Sequence, residues 1–348
     1  MDFALNEEQR MLQESARRFF ADHHPPSRAR RALPWRDPDS AQQQQLWREM
    51  AQMAWMSLLV PESDDGLGLG VVEASLIAEE AGRQLLNLPW AGSAVLLPLW
   101  LAGAAEPAPA PLREAVAAAM AGERALHCVA EGDARWDHAQ QCSDIVVVRG
   151  WHDTAVPLQI ALCSAEALHA DAESLDPTVL QAPAAPAAAL AWHTLDIGPQ
   201  AREKARAAHR LMLAAELVGV AQAALDLACA YARERVQFGK PIGSYQAIKH
   251  QLADAWMGVD NARLAVLYAS AALDGALPDA RFACAAAEYT AIEGALRSTR
   301  SAIQVHGGMG FTWEHDAHLY LKRAQRLAAR LGGAAGAIAR VEALALAD

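Results

Sequence analysis

Two short stretches carry residue types that could seat an anionic, ring-bearing ligand. The first, residues 233–254, reads RERVQFGKPIGSYQAIKHQLAD. Arg233, Arg235 and Lys240 crowd one corner between two apolar helical runs, with Phe238 among them. Planar guanidinium groups beside an aromatic ring suit a phosphate and a flat heterocycle. A solvated basic helix end, favoured by the helix dipole, would use the same residues. The second stretch, residues 304–324, reads QVHGGMGFTWEHDAHLYLKRA. Gly307, Gly308 and Gly310 would let backbone amides come close to a ligand, with Gln304 and His306 beside them. Alone, that glycine pattern equally describes a plain turn.

Other tempting residues read as scaffold. Glu314, His315, Asp316 and His318 have ligand-type side chains, but consecutive positions diverge around a helix. His318 can share a face with His315 or with Glu314 and finds no third ligand, so no metal site is predicted. The glycine-rich VPESDDGLGLG at 60–70 lacks a following lysine, and Asp64 with Asp65 would repel a phosphate, so it reads as a connector.

The elements that must position these stretches are mostly helical. Asn6 and Gln9 form a capping pair before a helix whose apolar side is Met11, Leu12, Ala16, Phe19 and Phe20, and Pro25 with Pro26 end it. A second helix carries Leu46, Trp47, Met50, Met53 and Ala54. From Gln84 to Ala105 there is no charged side chain, a length that could nominally span a bilayer. Asn87, Pro89, Gly92 and Pro98 interrupt it, which predicts a buried helix pair and no membrane span. The runs at 125–130, 143–150 and 158–163, and Thr194 to Ile197, read as short strands. Residues 164–199 otherwise give no clear element. Helical periodicity returns at 201–233, 245–274, 280–306, 312–329 and 333–347, which predicts an antiparallel bundle. The connector between the first two breaks at Pro241 and Gly243.

The chain has 348 residues, enough for two or three domains, and a net charge of -11. An acidic chain without basic blocks argues against nucleic acid and anionic membranes, so any phosphate recognition must be local. Cys128, Cys142, Cys163, Cys229 and Cys284 form no CxxC pair, which suits thiols in a reducing cytoplasm. The start MDFALNEEQR is acidic and polar, unlike a signal peptide.

The RVQFG and QVHGG segments, in this order, closely resemble the acyl-CoA dehydrogenase family, and GVVEASLIAEEAGR extends the resemblance into the N-terminal region. The resemblance implies a mainly α fold: a helical N-terminal domain (1–115), a β middle domain reduced to a truncated barrel (116–200) and a C-terminal helix bundle (201–348). It also implies an adenosine-diphosphate grip on FAD by Arg235, Phe238, Tyr245, Gln246, Gln304, Gly307 and Gly308. Set against that family, the resemblance makes Glu131 and Gly132 the remnant of the first flavin loop and implies that the segment carrying the second flavin contact is missing between CVAEGDARWD and HAQQCSDIVVV.

In that family a carboxylate removes the α-proton, because burial raises its pKa toward that of the acidified carbon. Counted from Gln304, its usual position falls on Leu331 or Gly332, neither of which takes a proton. The alternative position, on the helix before RVQFG, holds His209, a weak candidate beside Arg210. Glu216 reads as the partner of an arginine. The reading is therefore the degenerate subunit of a heteromeric, cytoplasmic acyl-CoA dehydrogenase. Its FAD is shared with a second acyl-CoA dehydrogenase subunit, and an electron-transfer flavoprotein accepts the electrons. Three alternatives stay open: a self-sufficient homo-oligomer using His209 or an unrecognised carboxylate, a flavin-free acyl-CoA-binding or assembly subunit, and a flavin monooxygenase. The reduced middle domain counts against the last.

Overall fold

The computed structural model describes residues 4–31, 40–153, 155–169 and 174–346. In chain order the helices α1 (Glu7–His23), α2 (Pro26–Arg31), α3 (Ser40–Gln52), α4 (Val71–Arg83), α5 (Leu97–Ala102) and α6 (Ala110–Met120) come first. Strands β1 (Leu126–Ala130), β2 (Arg135–Asp137), β3 (Asp144–Arg149), β4 (Leu158–Ser164), β5 (Gln181–Pro183) and β6 (His193–Leu195) follow. The helix α7 (Pro199–Glu234), the short strands β7 (Val236–Gln237) and β8 (Lys240–Pro241), and helices α8 (Gln246–Asp274), α9 (Ala280–His306), α10 (Ala317–Arg330) and α11 (Gly333–Ala345) complete the chain. This is the acyl-CoA dehydrogenase-like plan: mainly helical, with a small sheet in the middle region.

Two compact units are discontinuous in sequence. One comprises residues 1–30, 75–86 and 210–348, the other residues 31–74 and 87–209.

The second unit holds the sheet. Its strand order is β1-β3-β4-β6, with β1 parallel to β3 and the remaining pairs antiparallel, and β2 pairs with β5 separately. Cys128, Val146, Val148 and Ile160 pack on one side with Leu96, Leu97 and Trp100. Val129, Ile145, Val147 and Cys163 pack on the other with Trp136 and Ala182. Burial on both faces explains the unbroken IVVV run, which alternation would have interrupted. Among the described residues the sheet stays open, with β1 and β6 at its edges, in keeping with a truncated barrel.

Two expectations are corrected in this unit. The uncharged stretch from Gln84 forms a single helical run and not a helix pair: a π turn at Gly92–Leu96 leads directly into α5. Pro98 has no N–H to continue the ladder, and the amide of Leu97 instead reaches the carbonyl of Gly92. Ser93 in this turn accepts the amide of Leu126 at 3.1 Å and donates to its carbonyl at 2.7 Å, pinning the start of β1. The second correction concerns α3, which ends at Gln52. Leu46, Trp47 and Met50 are buried, but Met53 is exposed, and Ala54 turns left-handed (φ 58°) outside the helix.

The first unit is built by close helix approach. A Cβ on Gly219 of α7 would overlap the carbonyl of Glu79 in α4, and one on Gly294 of α9 would lie 2.7 Å from the carbonyl of Gly258 in α8. The predicted box at α1 is present: Asn6 Oδ1 accepts the amide of Gln9 at 2.8 Å, and Gln9 Oε1 accepts that of Asn6 at 3.1 Å. Carboxylates at these crossings are paired. Glu80 takes both nitrogens of Arg17, Glu79 takes Arg263, and Glu216 takes Arg323 at 2.8 Å, as its reading as an arginine partner required. Among the described residues one helix, α7, is long and apolar enough to cross a membrane, and 67% of its most apolar window is buried within the fold.

Candidate functional site

The RVQFG corner begins where α7 stops. The amide of Arg235 closes the last turn onto the carbonyl of Tyr231 at 2.8 Å, and the β7–β8 hairpin then turns at Phe238 and Gly239. Both turn residues have positive φ, 52° and 81°, the pattern of a tight type I′ hairpin. A non-glycine residue held there is strained, and the Phe238 ring is 93% exposed. Tyr245 donates its hydroxyl to the carbonyl of Gln237 at 3.1 Å, with Lys240 Nζ 4.4 Å above its ring. The Arg235 side chain is exposed, without a hydrogen-bond or ion-pair partner among the described residues.

The QVHGG corner begins where α9 stops. Gly307 has φ 62° and ψ -142°, a conformation that suits glycine, and a Cβ on Gly307 or Gly308 would meet nothing within 4 Å. Those two backbones therefore face open space. Gly310 instead packs back on the helix end, 3.2 Å from Ile303 O and His306 Cβ by its virtual Cβ. Gln304 is exposed and borders an open groove of about 400 Å³ with Gln251, Arg297 and Arg300.

The corners meet through rings. His306, buried, stacks on Tyr231 with centroids 4.4 Å apart and planes 29° apart, and His315 lies 4.2 Å beyond it. Both corners lie in the first unit. The structure thus brings Arg235, Phe238, Tyr245 and Gln246 to one side of this stack in the chain path, and Gln304, Gly307 and Gly308 to the other. In the sequence His315 stands out only as a metal-ligand type, and Tyr231 does not stand out as a site residue. The only available signal was the aromatic residue four positions before Arg235.

At the usual position of the base there is a basic clamp. Leu331 is fully buried, and its carbonyl accepts Arg210 Nη2 at 3.0 Å and Arg340 Nη2 at 2.8 Å. Both guanidiniums converge on buried Glu288, Arg210 at 2.8 and 2.6 Å and Arg340 at 2.6 Å. Gly332 (φ 84°) and Gly336 leave room for this, since a Cβ on either would sit 3.5 Å from Arg340 Nη1. Neither Leu331 nor Gly332 offers a proton acceptor, and the carboxylate of this cluster, Glu288, is held by both guanidiniums. His209 lies in the second unit, within α7, half-buried, its ring edge-on to Trp151 at 5.8 Å.

The remnant loop after β1 is tied down. Glu131 accepts Arg149 Nε at 2.8 Å and Nη2 at 2.7 Å, and the Arg149 guanidinium lies 4.2 Å over the Trp192 ring. That bidentate bond holds the Glu131 carboxyl below its usual range. Gly132 beside it faces open space. No group of three or more His, Cys, Asp and Glu that could hold a metal occurs among the described residues.

Helical bundle, reduced sheet and paired corner motifs together define a flavoprotein dehydrogenase scaffold, and comparison with known proteins agrees. Residues 6–108 match the acyl-CoA dehydrogenase N-terminal domain and residues 200–339 its C-terminal domain. The chain belongs to the acyl-CoA dehydrogenase family. It is similar to acyl-CoA dehydrogenase IpdE2 of Mycolicibacterium smegmatis, 32% identical over 97% of this chain and 99% of the relative. It is also similar to IpdE2 of Mycobacterium tuberculosis, 33% identical over 97% and 96%. Among solved structures, the ChsE4–ChsE5 complex from Mycobacterium tuberculosis contains a chain with TM-score 0.80 and 25% identity, covering 98% of each.

Proposed function

We propose that this chain is the cofactor-completing subunit of a heteromeric, cytoplasmic acyl-CoA dehydrogenase, and that it does not itself supply the base. The observation that carries this is the contrast between two places in the first unit. Where a base is expected, Leu331 is clamped by Arg210 and Arg340. Where an adenosine diphosphate is expected, Arg235, Gln304, Gly307 and Gly308 are exposed, and the Arg235 and Gln304 side chains have no hydrogen-bond or ion-pair partner among the described residues.

The residues present fit the adenosine-diphosphate half of FAD. The free guanidinium of Arg235 suits a pyrophosphate, Gln304 suits the adenosine end, and the open backbones of Gly307 and Gly308 allow close approach. Phe238, strained and exposed, and Tyr245 with Gln246 complete that surface. For the flavin ring the first-loop remnant offers Glu131, already engaged with Arg149, and Gly132. FAD, when bound, supplies the acceptor for a hydride from the acyl-CoA. The residues of this chain hold its nucleotide end while the partner provides ring cradle and base. The two-component ChsE4–ChsE5 structure supports a second acyl-CoA dehydrogenase subunit, and an electron-transfer flavoprotein is the expected acceptor for the assembly. Five free cysteines are in keeping with a reducing compartment.

The test compares the chain alone with the chain co-expressed with its partner subunit. The chain alone should show no acyl-CoA oxidation with an artificial electron acceptor. The complex should carry FAD, and Arg235→Ala should lower its FAD content with the complex intact on gel filtration. A charge-assisted contact of this kind is worth about 1.5–3 kcal/mol, roughly ten- to a hundredfold in affinity. Turnover by the pure single chain, abolished by His209→Ala, would establish the homomeric reading instead.

A further inference from the structure

We infer that Tyr231, His306 and His315 are positioning residues for the flavin nucleotide: a three-ring clasp that fixes the spacing of the Arg235 hairpin and the Gly307–Gly308 turn. The inference rests on the proposed adenosine-diphosphate role of those two corners and adds what aligns them.

The two corners end different helices, and among the described residues no hydrogen bond or ion pair joins residues 235–241 to residues 307–311. Arg235 and Phe238 on one corner and Gln304, Gly307 and Gly308 on the other are exposed. Tyr231 and His306 do touch, near-parallel at 4.4 Å. Each ring stands next to a ligand group in the chain. Arg235 is bonded through its amide to the carbonyl of Tyr231, and Gly307 follows His306 directly.

The clasp is also oriented. His306 Nδ1 lies 2.7 Å from the carbonyl of Ala302, which can only accept, so Nδ1 carries a proton and the ring plane is fixed to α9. His315 Nδ1 accepts the amide of Ala317 at 3.1 Å, which makes His315 the neutral Nε2–H form and anchors the third ring to the start of α10. A turn of the His306 ring would break one of these hydrogen bonds and the stack together. The positive φ of Gly307 then directs the chain out of the clasp into the open turn. Rigid support of this kind is what a multipoint grip on a diphosphate and an adenosine needs, since a small misplacement of either corner removes one contact.

The experiment measures FAD release from the complex by flavin fluorescence after dilution, with melting temperature as a fold control. Tyr231→Leu should release FAD roughly three- to tenfold faster, the usual worth of an aromatic pair, whereas Tyr231→Phe, which keeps the ring, should behave as wild type. Combining Tyr231→Leu with Arg235→Ala should cost less than the product of the two, because a misplaced and a missing guanidinium are equivalent. His315→Leu, which removes the outer ring and leaves the helix ends in contact, should weaken FAD in the same direction. Unchanged release in both Tyr231→Leu and His315→Leu, with Arg235→Ala still impaired, would show that the rings are packing and overturn the inference. If Tyr231→Leu fails to fold, unchanged release in His315→Leu alone overturns it. No effect of Arg235→Ala would instead overturn the functional reading beneath it.

Discussion

Arg210 donates one nitrogen to the carbonyl of Leu331 at 3.0 Å while two of its nitrogens hold Glu288. This relationship places a cation against the turn where the family's resemblance leads one to look for a carboxylate. It has consequences for any attempt to restore a base.

Leu331→Glu should not give the isolated chain acyl-CoA oxidation. A carboxylate built at a fully buried position beside Arg210 and Arg340 would be held ionised by them, which makes it a poor proton acceptor. Turnover with an artificial acceptor, measured on the pure variant, checks this.

Glu288→Gln should destabilise the chain by about 3 kcal/mol at neutral pH, because two guanidiniums lose their shared counter-ion; the figure is at the low end for buried pairs since both arginines reach solvent. Urea unfolding of the variant and wild type gives the number. A loss below about 0.5 kcal/mol would mean that the cluster is solvent-screened.

Arg323→Met should cost more than any surface change, about 3–5 kcal/mol. Arg323 is 0% exposed and serves the carbonyls of Leu86 and Leu85 at 2.8 and 3.3 Å and Glu216 at 2.8 Å. Its removal leaves a carboxylate and two carbonyls without this donor. The double variant Arg323→Met with Glu216→Met should recover part of the loss in the same urea titration.

Gly219→Ala should destabilise by about 2–3 kcal/mol or more, although alanine is the better helix former. Its methyl would enter the space of the Glu79 carbonyl, and backbone cannot swing aside as a side chain can. A lowered thermal midpoint with unchanged far-ultraviolet dichroism is the expected result.

The Glu131–Arg149 pair predicts a pH dependence. The Glu131 carboxyl is held below its ordinary value chiefly by its hydrogen bonds from Arg149. Its contribution is therefore present above the ordinary carboxylate pKa and is lost as pH falls through the lowered folded value. The difference in urea midpoint between wild type and Glu131→Gln should be seen at pH 7 and should shrink at pH well below the carboxylate range. A difference independent of pH would assign the loss to packing.

Much of the helical plan was legible in the residues themselves. Asn6 and Gln9 announce α1 because a cap is satisfied within three residues, and α9 runs over the span that its apolar spacing marks out. The runs at 125–130, 143–150 and 158–163 announce β1, β3 and β4 because strands buried on both faces read as continuous apolar text. Arg235, Gln304 and the glycines beside them could be singled out because glycine freedom and guanidinium chemistry are properties of single residues. Other features depend on partners distant in sequence. Three-residue strands such as β2 and β5 carry no period and exist only because Trp136 finds Ala182. The end of α3 lies where Ala54 turns left-handed, against its own propensity. The pairing of Arg210 and Arg340 with Glu288, and of Tyr231 with His306, joins residues separated by dozens of positions. A charge or a ring is written in the sequence, but what neutralises or stacks on it is decided only when the helices have packed, because those interactions act across space and not along the chain.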